Sequence, residues 1–85
     1  MKHRASKKFW QHYHRLPTAI QDLADKNFAI LKANPRHPSV HFKNVGRMWS
    51  ARVGNHYRAL AVESDAEFVW FWIGTHAEYN QIIKQ

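Results

Sequence analysis

Eighty-five residues suffice for one domain and not for two, and a 45% hydrophobic content with four Trp, five Phe and three Tyr argues for a small packed core and against disorder. The absence of cysteine excludes disulfides, thiolate metal sites and Cys nucleophiles. Thirteen Lys and Arg against six acids give a formal charge of +7, which points to a polyanionic partner: nucleic acid, an anionic membrane surface or an acidic protein.

The longest apolar run, FVWFWIG at residues 68–74, falls far short of the ~20 residues of a membrane helix. The opening MKHRASKKFW is basic but lacks the apolar segment of a signal peptide. A soluble cytoplasmic protein with no membrane partner is the expectation.

In chain order, residues 6–16 (SKKFWQHYHRL) place Phe9, Trp10, Tyr13 and Leu16 at helical spacing behind Ser6 as N-cap. Pro17 breaks the pattern. Thr18 and Gln21 then read as a capping box, with Ile20, Leu23, Ala24, Phe28 and Leu31 on one face of a second helix ending near Ala33, before Asn34-Pro35. The two helices are expected to lie antiparallel. After Pro38 the period becomes two: Val40, Phe42 and Val45 suggest a strand or extended arm, residues 48–53 a second strand and residues 57–63 a third. A tight loop at residues 64–66 leads to a fourth strand, residues 67–73, apolar on both faces and therefore central. Trp70 and Trp72 are expected on one face, with Phe71 on the other. Thr75 to Glu78 forms another capping box, opening a short helix with Tyr79, Ile82 and Ile83 as its apolar face. The fold class is α+β in one domain, residues 1–85: two N-terminal helices on a twisted four-stranded antiparallel sheet, with a short C-terminal helix.

The hairpin RVGNHYR, residues 52–58, admits two registers. A two-residue turn would put Arg52 and Arg58 on opposite faces. A three-residue turn at Gly54-Asn55-His56 pairs Arg52 with Arg58 and gathers Trp49, Ala51, Val53, Tyr57, Ala59 and Ala61 on one apolar face, with Leu60 the misfit on the other. A buried face fixes register, so the second is preferred. Paired like charges destabilise a sheet unless an anion lies between them, and guanidinium forks suit phosphate. The alternatives are neutralisation by Glu63, Glu67 or other acids, or both side chains snorkelling into water.

Together RVGNHYRAL, VWFWIG and THAEY, behind a helical hairpin ending in Asn-Pro, resemble the RelE/ParE superfamily of type II toxin–antitoxin toxins over almost the whole chain. The resemblance implies a cognate antitoxin partner with an acidic or amphipathic segment. RelE-like members cleave mRNA on the ribosome; ParE-like members share the fold and inhibit DNA gyrase. Three departures stand out. Asn55-His56 replaces the single acid of the usual hairpin turn. MKHRAS has little strand character, so the family's opening strand is expected to be missing. Met48 and Ser50 occupy the stretch where some RelE-like enzymes carry lysines.

Ribonucleolysis without metal needs a base for the 2′-OH, a cation for the phosphorane and an acid for the 5′-oxygen. Arg58, matched to the family's hairpin arginine, is the candidate for the cation, with Arg52 second. His76 would be acid or base, and Tyr79 would stack on a base or hydrogen-bond the phosphate. Lys43, Arg47 and His56 are candidate RNA contacts, and His41 is a weaker reserve. Each has a plainer reading: His76 and His56 as solvated surface residues, Lys43 as an outward lysine, Tyr79 as core. Glu78 belongs to the capping box. His12 and His14 point apart on a helix and nothing completes a ligand set with His37 and His41, so no metal and no cofactor are expected. The leading reading is a toxin that cleaves mRNA on the ribosome; the alternatives are a non-enzymatic gyrase inhibitor and a decayed toxin that only binds its antitoxin.

Overall fold

The computed structural model of the protein describes residues 2–84. Its elements are β1 (Lys2–Ala5), α1 (Lys7–Tyr13), α2 (Thr18–Ala33), β2 (Lys43–Val45), β3 (Met48–Val53), β4 (Tyr57–Ser64), β5 (Glu67–Thr75) and α3 (His76–Ile83). The five strands form one sheet in the order β1-β5-β4-β3-β2.

The opening strand is present, against expectation, and the sheet has five strands rather than four. β1 runs parallel to β5, His3 opposite Phe68 and Ala5 opposite Trp70. Local propensity is overridden by tertiary partners. The His3 ring stacks on Phe68 at 5.3 Å and on Trp70 at 6.1 Å, and its Nδ1 accepts the Trp70 indole N–H at 3.0 Å. Burial, helped by the charge of Lys32, pushes the His3 pKa down, which keeps the ring neutral and able to accept that bond. The alternate residues Lys2 and Arg4 are exposed, and Arg4 pairs with Glu67 at 3.1 Å.

Ser6 caps α1 as expected, its hydroxyl accepting the Phe9 N–H at 3.2 Å. The box at Thr18 does not form. Pro17 is the N-cap, and its carbonyl receives the N–H groups of Ile20 and Gln21, so Thr18 already lies inside the first turn. The Gln21 amide instead donates to the carbonyls of Tyr13 and Leu16 and closes the end of α1. The strand foreseen from Val40 begins only at Lys43, because His41 takes a left-handed backbone (φ 43°) that breaks extension.

One sheet face carries the main core: Ala51, Val53, Ala59, Ala61, Phe68, Trp70 and Ile73 pack beneath Ala24 and Leu31 of α2 and the buried Val40. The other face carries a smaller cluster, in which Leu60 and Trp72 pack against Tyr79 of α3. Leu60 is therefore no misfit; α3 covers it. Trp70 and Trp72 lie on opposite faces, correcting the expected alternation. Ala61 pairs with Trp70 but Leu60 pairs with Trp72, so Phe71 is an extra residue in a β-bulge, and it joins Trp72 on the α3 side.

Candidate phosphate-binding site

The hairpin register is the one the apolar face demands. Val53 pairs with Tyr57 and Arg52 with Arg58, leaving Gly54-Asn55-His56 as the turn. Gly54 takes a positive φ (65°) that suits glycine, and a Cβ there would come within 2.7 Å of the Leu23 side chain on α2, which would have to move aside. β2 pairs β3 only as far as Ser50, so the outward backbone groups of Arg52 must find partners elsewhere. Its N–H donates to the Val40 carbonyl at 2.7 Å, and its carbonyl accepts from the Asn27 side-chain amide at 3.2 Å. With those groups turned away from β4, Arg52 and Arg58 form the non-hydrogen-bonded kind of antiparallel pair, in which facing side chains stand closer.

Both arginines lie on the α3 face of the sheet, at the end that α3 does not cover. Arg58 Nη1 donates to the carbonyls of Tyr57 at 2.8 Å and Gly54 at 3.4 Å, which fixes its fork and leaves other N–H groups free. Burial, and then the charge of Arg52, push the Arg58 pKa down, while Tyr79 acts weakly the other way. The only ion pair among the described residues is Arg4–Glu67, so neither site arginine is neutralised by a carboxylate. The expected alternative, compensation by Glu63 or Glu67, does not occur.

α3 supplies the facing wall. Thr75 and Glu78 form the predicted capping box: the Glu78 N–H donates to Thr75 Oγ1 at 3.2 Å, and the Thr75 N–H donates to Glu78 Oε1 at 2.9 Å. Those bonds to Thr75 hold the Glu78 carboxyl below its usual range. A Cβ on Gly74, the cross-strand partner of Arg58, would come within 2.8 Å of Glu78 Oε1. The His76 N–H donates to the His56 carbonyl at 2.8 Å, clipping the hairpin turn to the start of the helix. The rings of His76 and Tyr79 stack at 5.8 Å, the first exposed and the second only 5% exposed.

These elements enclose a concavity of about 110 Å³ lined by His41, Lys43, Ser50, Arg52, Arg58, His76 and Tyr79. No carboxylate lines it. Arg52, Arg58, His76, Tyr79 and Lys43, all singled out from the sequence, are brought together; His41, the weaker candidate, joins them. Arg47 and His56 sit in the β2–β3 and β3–β4 turns and do not line it; His56 contributes through its backbone carbonyl. Tyr79 is both core and site. Among the described residues its hydroxyl has no partner and no fully buried side-chain oxygen is left unpaired, so that oxygen reaches the surface at the concavity. Ser50 was missed, although the register that placed Arg52 and Arg58 placed it on the same face.

A family model described as the ParE-like toxin domain matches residues 18–81. The chain belongs to the ParE-like toxin family. No curated protein matches the toxin significantly by sequence. Solved structures share its fold. The RelBE2 toxin–antitoxin complex of Mycobacterium tuberculosis superposes with a TM-score of 0.69 at 22% identity, over 88% of this toxin and 96% of that chain. YafQ of E. coli gives 0.72 at 13% identity, over 92% and 96%, and the isolated E. coli RelE toxin 0.63 at 11%, over 98% and 95%.

Proposed function

We propose that this toxin is a ribosome-dependent mRNA endoribonuclease that inhibits translation and is held inactive by a cognate antitoxin. The observation that carries the reading is the concavity itself, where two unneutralised guanidiniums stand beside a histidine, a lysine and a tyrosine hydroxyl with no acid among them. Such a set recognises a phosphodiester and supplies what its transesterification needs. The 2′-oxygen attacks phosphorus as its proton passes to a base. The P–O5′ bond breaks as an acid protonates the leaving oxygen, giving a 2′,3′-cyclic phosphate and a 5′-hydroxyl. Arg58, with Arg52, bears the charge of the phosphorane. His76 exchanges one of the protons, a task suited to an imidazole near neutral pH, and the Tyr79 hydroxyl bonds the phosphate. These side chains act without a metal. The antitoxin partner is supported by the basic charge and by the complex in which the similar RelBE2 toxin was solved.

The ParE-like description of the family favours a second reading, in which the same basic face binds DNA gyrase and no residue does chemistry. One experiment separates them: the toxin is induced alone, and cellular mRNA is mapped by primer extension for wild type, Arg58→Ala and His76→Ala. Codon-phased cleavage lost in both variants is the expected result. Growth arrest with intact mRNA and broken or relaxed DNA would sink the nuclease and support gyrase. No arrest at all would indicate a decayed toxin.

A further inference from the structure

Ser50 lies in the middle of β3, where a polar residue has no sheet duty to perform beyond its backbone. It is 2% exposed, which makes it one of the two buried polar residues among the described ones, the other being Asn27. Asn27 is satisfied by the Arg52 carbonyl. The Ser50 hydroxyl has no hydrogen-bond partner among the described residues, and leaving a buried hydroxyl unpaired is unfavourable. Yet no fully buried side-chain oxygen is unpaired among the described residues, so the small surface Ser50 retains includes its Oγ. That surface opens into the concavity it lines.

Its neighbours give the opening a chemical meaning. Arg52 is two residues along the same face of the strand. Lys43 is directly opposite on β2, and Leu60 opposite on β4 closes the far side with apolar surface. Ser50 Oγ is thus a rotatable donor in a basic, acid-free recess, with no acceptor bonded to it among the described residues.

We propose that Ser50 is a phosphate-binding residue of this site, its hydroxyl donating to a non-bridging oxygen of an RNA phosphodiester held between Arg52 and Arg58. The inference rests on the phosphodiester reading of the concavity and adds to it the donor that fixes how deeply the phosphate sits. The arginines approach from the rim and turn; Ser50 approaches from below. A phosphate seated on it gives this hydroxyl, open to the concavity, a charge-assisted bond.

The test uses the full-length toxin and a 2′-O-methyl oligoribonucleotide, which keeps the phosphodiester and lacks the attacking hydroxyl. Dissociation constants at one fixed ionic strength are compared with urea denaturation midpoints for wild type, Ser50→Ala, Ser50→Cys, Ser50→Thr and Arg58→Ala. A lost hydrogen bond to a charged group predicts affinity lower by about tenfold or more in Ser50→Ala, with a smaller loss in Ser50→Cys, a poor donor of nearly the same shape. The Ser50→Ala midpoint is expected to hold or rise, since no folded-state bond is broken. Ser50→Thr, if it keeps the wild-type midpoint, is expected to keep the affinity. Loss of binding in Arg58→Ala with wild-type binding in Ser50→Ala overturns the role of Ser50 and leaves the phosphate site standing. Wild-type binding in both overturns the site and this inference with it. A Ser50→Ala variant that loses stability in step with affinity also counts against the proposal, because the residue would then be structural.

Discussion

The two faces of the sheet are made by the same strands and put to different uses. The α2 face carries the larger apolar layer: Ala51, Val53, Ala59, Trp70 and Ile73 pack with Ala24 and Leu31, and Tyr57 and Trp49 complete it. The opposite face is covered only by α3, eight residues long, which seals Leu60 and Trp72 with Tyr79 and stops. Beyond it lie Ser50, Arg52 and Arg58. The repulsion between the arginines is tolerable because the covered face holds the register that pairs them. In this molecule, therefore, polar strain and apolar packing sit back to back on alternate residues, and the site is the part of the sheet left open beside the start of α3.

That division breaks if a core residue and a site residue prove alike when removed. The largest effect is expected from Trp70→Ala. Truncating a buried aromatic costs about 3–5 kcal/mol, comparable with the whole stability of a small domain, so urea denaturation should show the variant largely unfolded. Arg58→Ala should do the reverse. RNA cleavage falls on the order of 10²–10³-fold, as when a charge-stabilising donor is removed. Its denaturation midpoint stays level or rises, because the contact with Arg52 was repulsive. A midpoint that collapsed with the activity would erase the distinction between the faces.

Thr75→Ala tests the seam between them. Losing the cap should destabilise by about 1 kcal/mol, and because Thr75 begins the helix that carries His76 and Tyr79, cleavage should fall more than stability does. Heteronuclear NMR would also find the Glu78 carboxyl rising only part of the way toward its ordinary value of 4.5, since the variant keeps the backbone N–H that lowers it most and loses only the hydroxyl.

The smallest effect is a slope with pH on the covered face. His3 has its pKa lowered from 6.5, chiefly by burial, so it is neutral in the fold and the unfolded chain binds the extra proton. Its contribution is complete above 6.5 and is lost as pH falls from there toward the lowered value, where the proton also takes Nδ1 from the Trp70 indole. Denaturation midpoints between pH 7 and 5 should decline less steeply in His3→Phe than in wild type; equal slopes would remove His3 from the account.

What the sequence disclosed follows from locality. Ser6 and the Thr75–Glu78 box act within one helical turn, and both caps form where the residues announce them. The Arg52–Arg58 pairing was legible because one apolar face admits only one register. β1 was not, since His3 becomes a strand residue only by meeting Phe68 and Trp70 more than sixty positions away. Thr18 failed as a cap because Pro17 took the position first. Ser50 looked like any serine on a polar face; its burial comes from the tertiary fold around it, and no periodicity records that.

The extra residue at Phe71 sets the phase between the two halves of β5. Residues 67–70 keep the alternation that serves β1 and the main core, while Trp72 to Thr75 follow a count displaced by one. Drawing that residue into the regular ladder would leave the first half untouched and turn every later side chain over. Gly74 would no longer lie beside Arg58, and α3 would set out from the wrong side of the strand, carrying His76 and Tyr79 away from the arginines. A single position thus works as a gear between the half of the strand that holds the toxin together and the half that aims its helix.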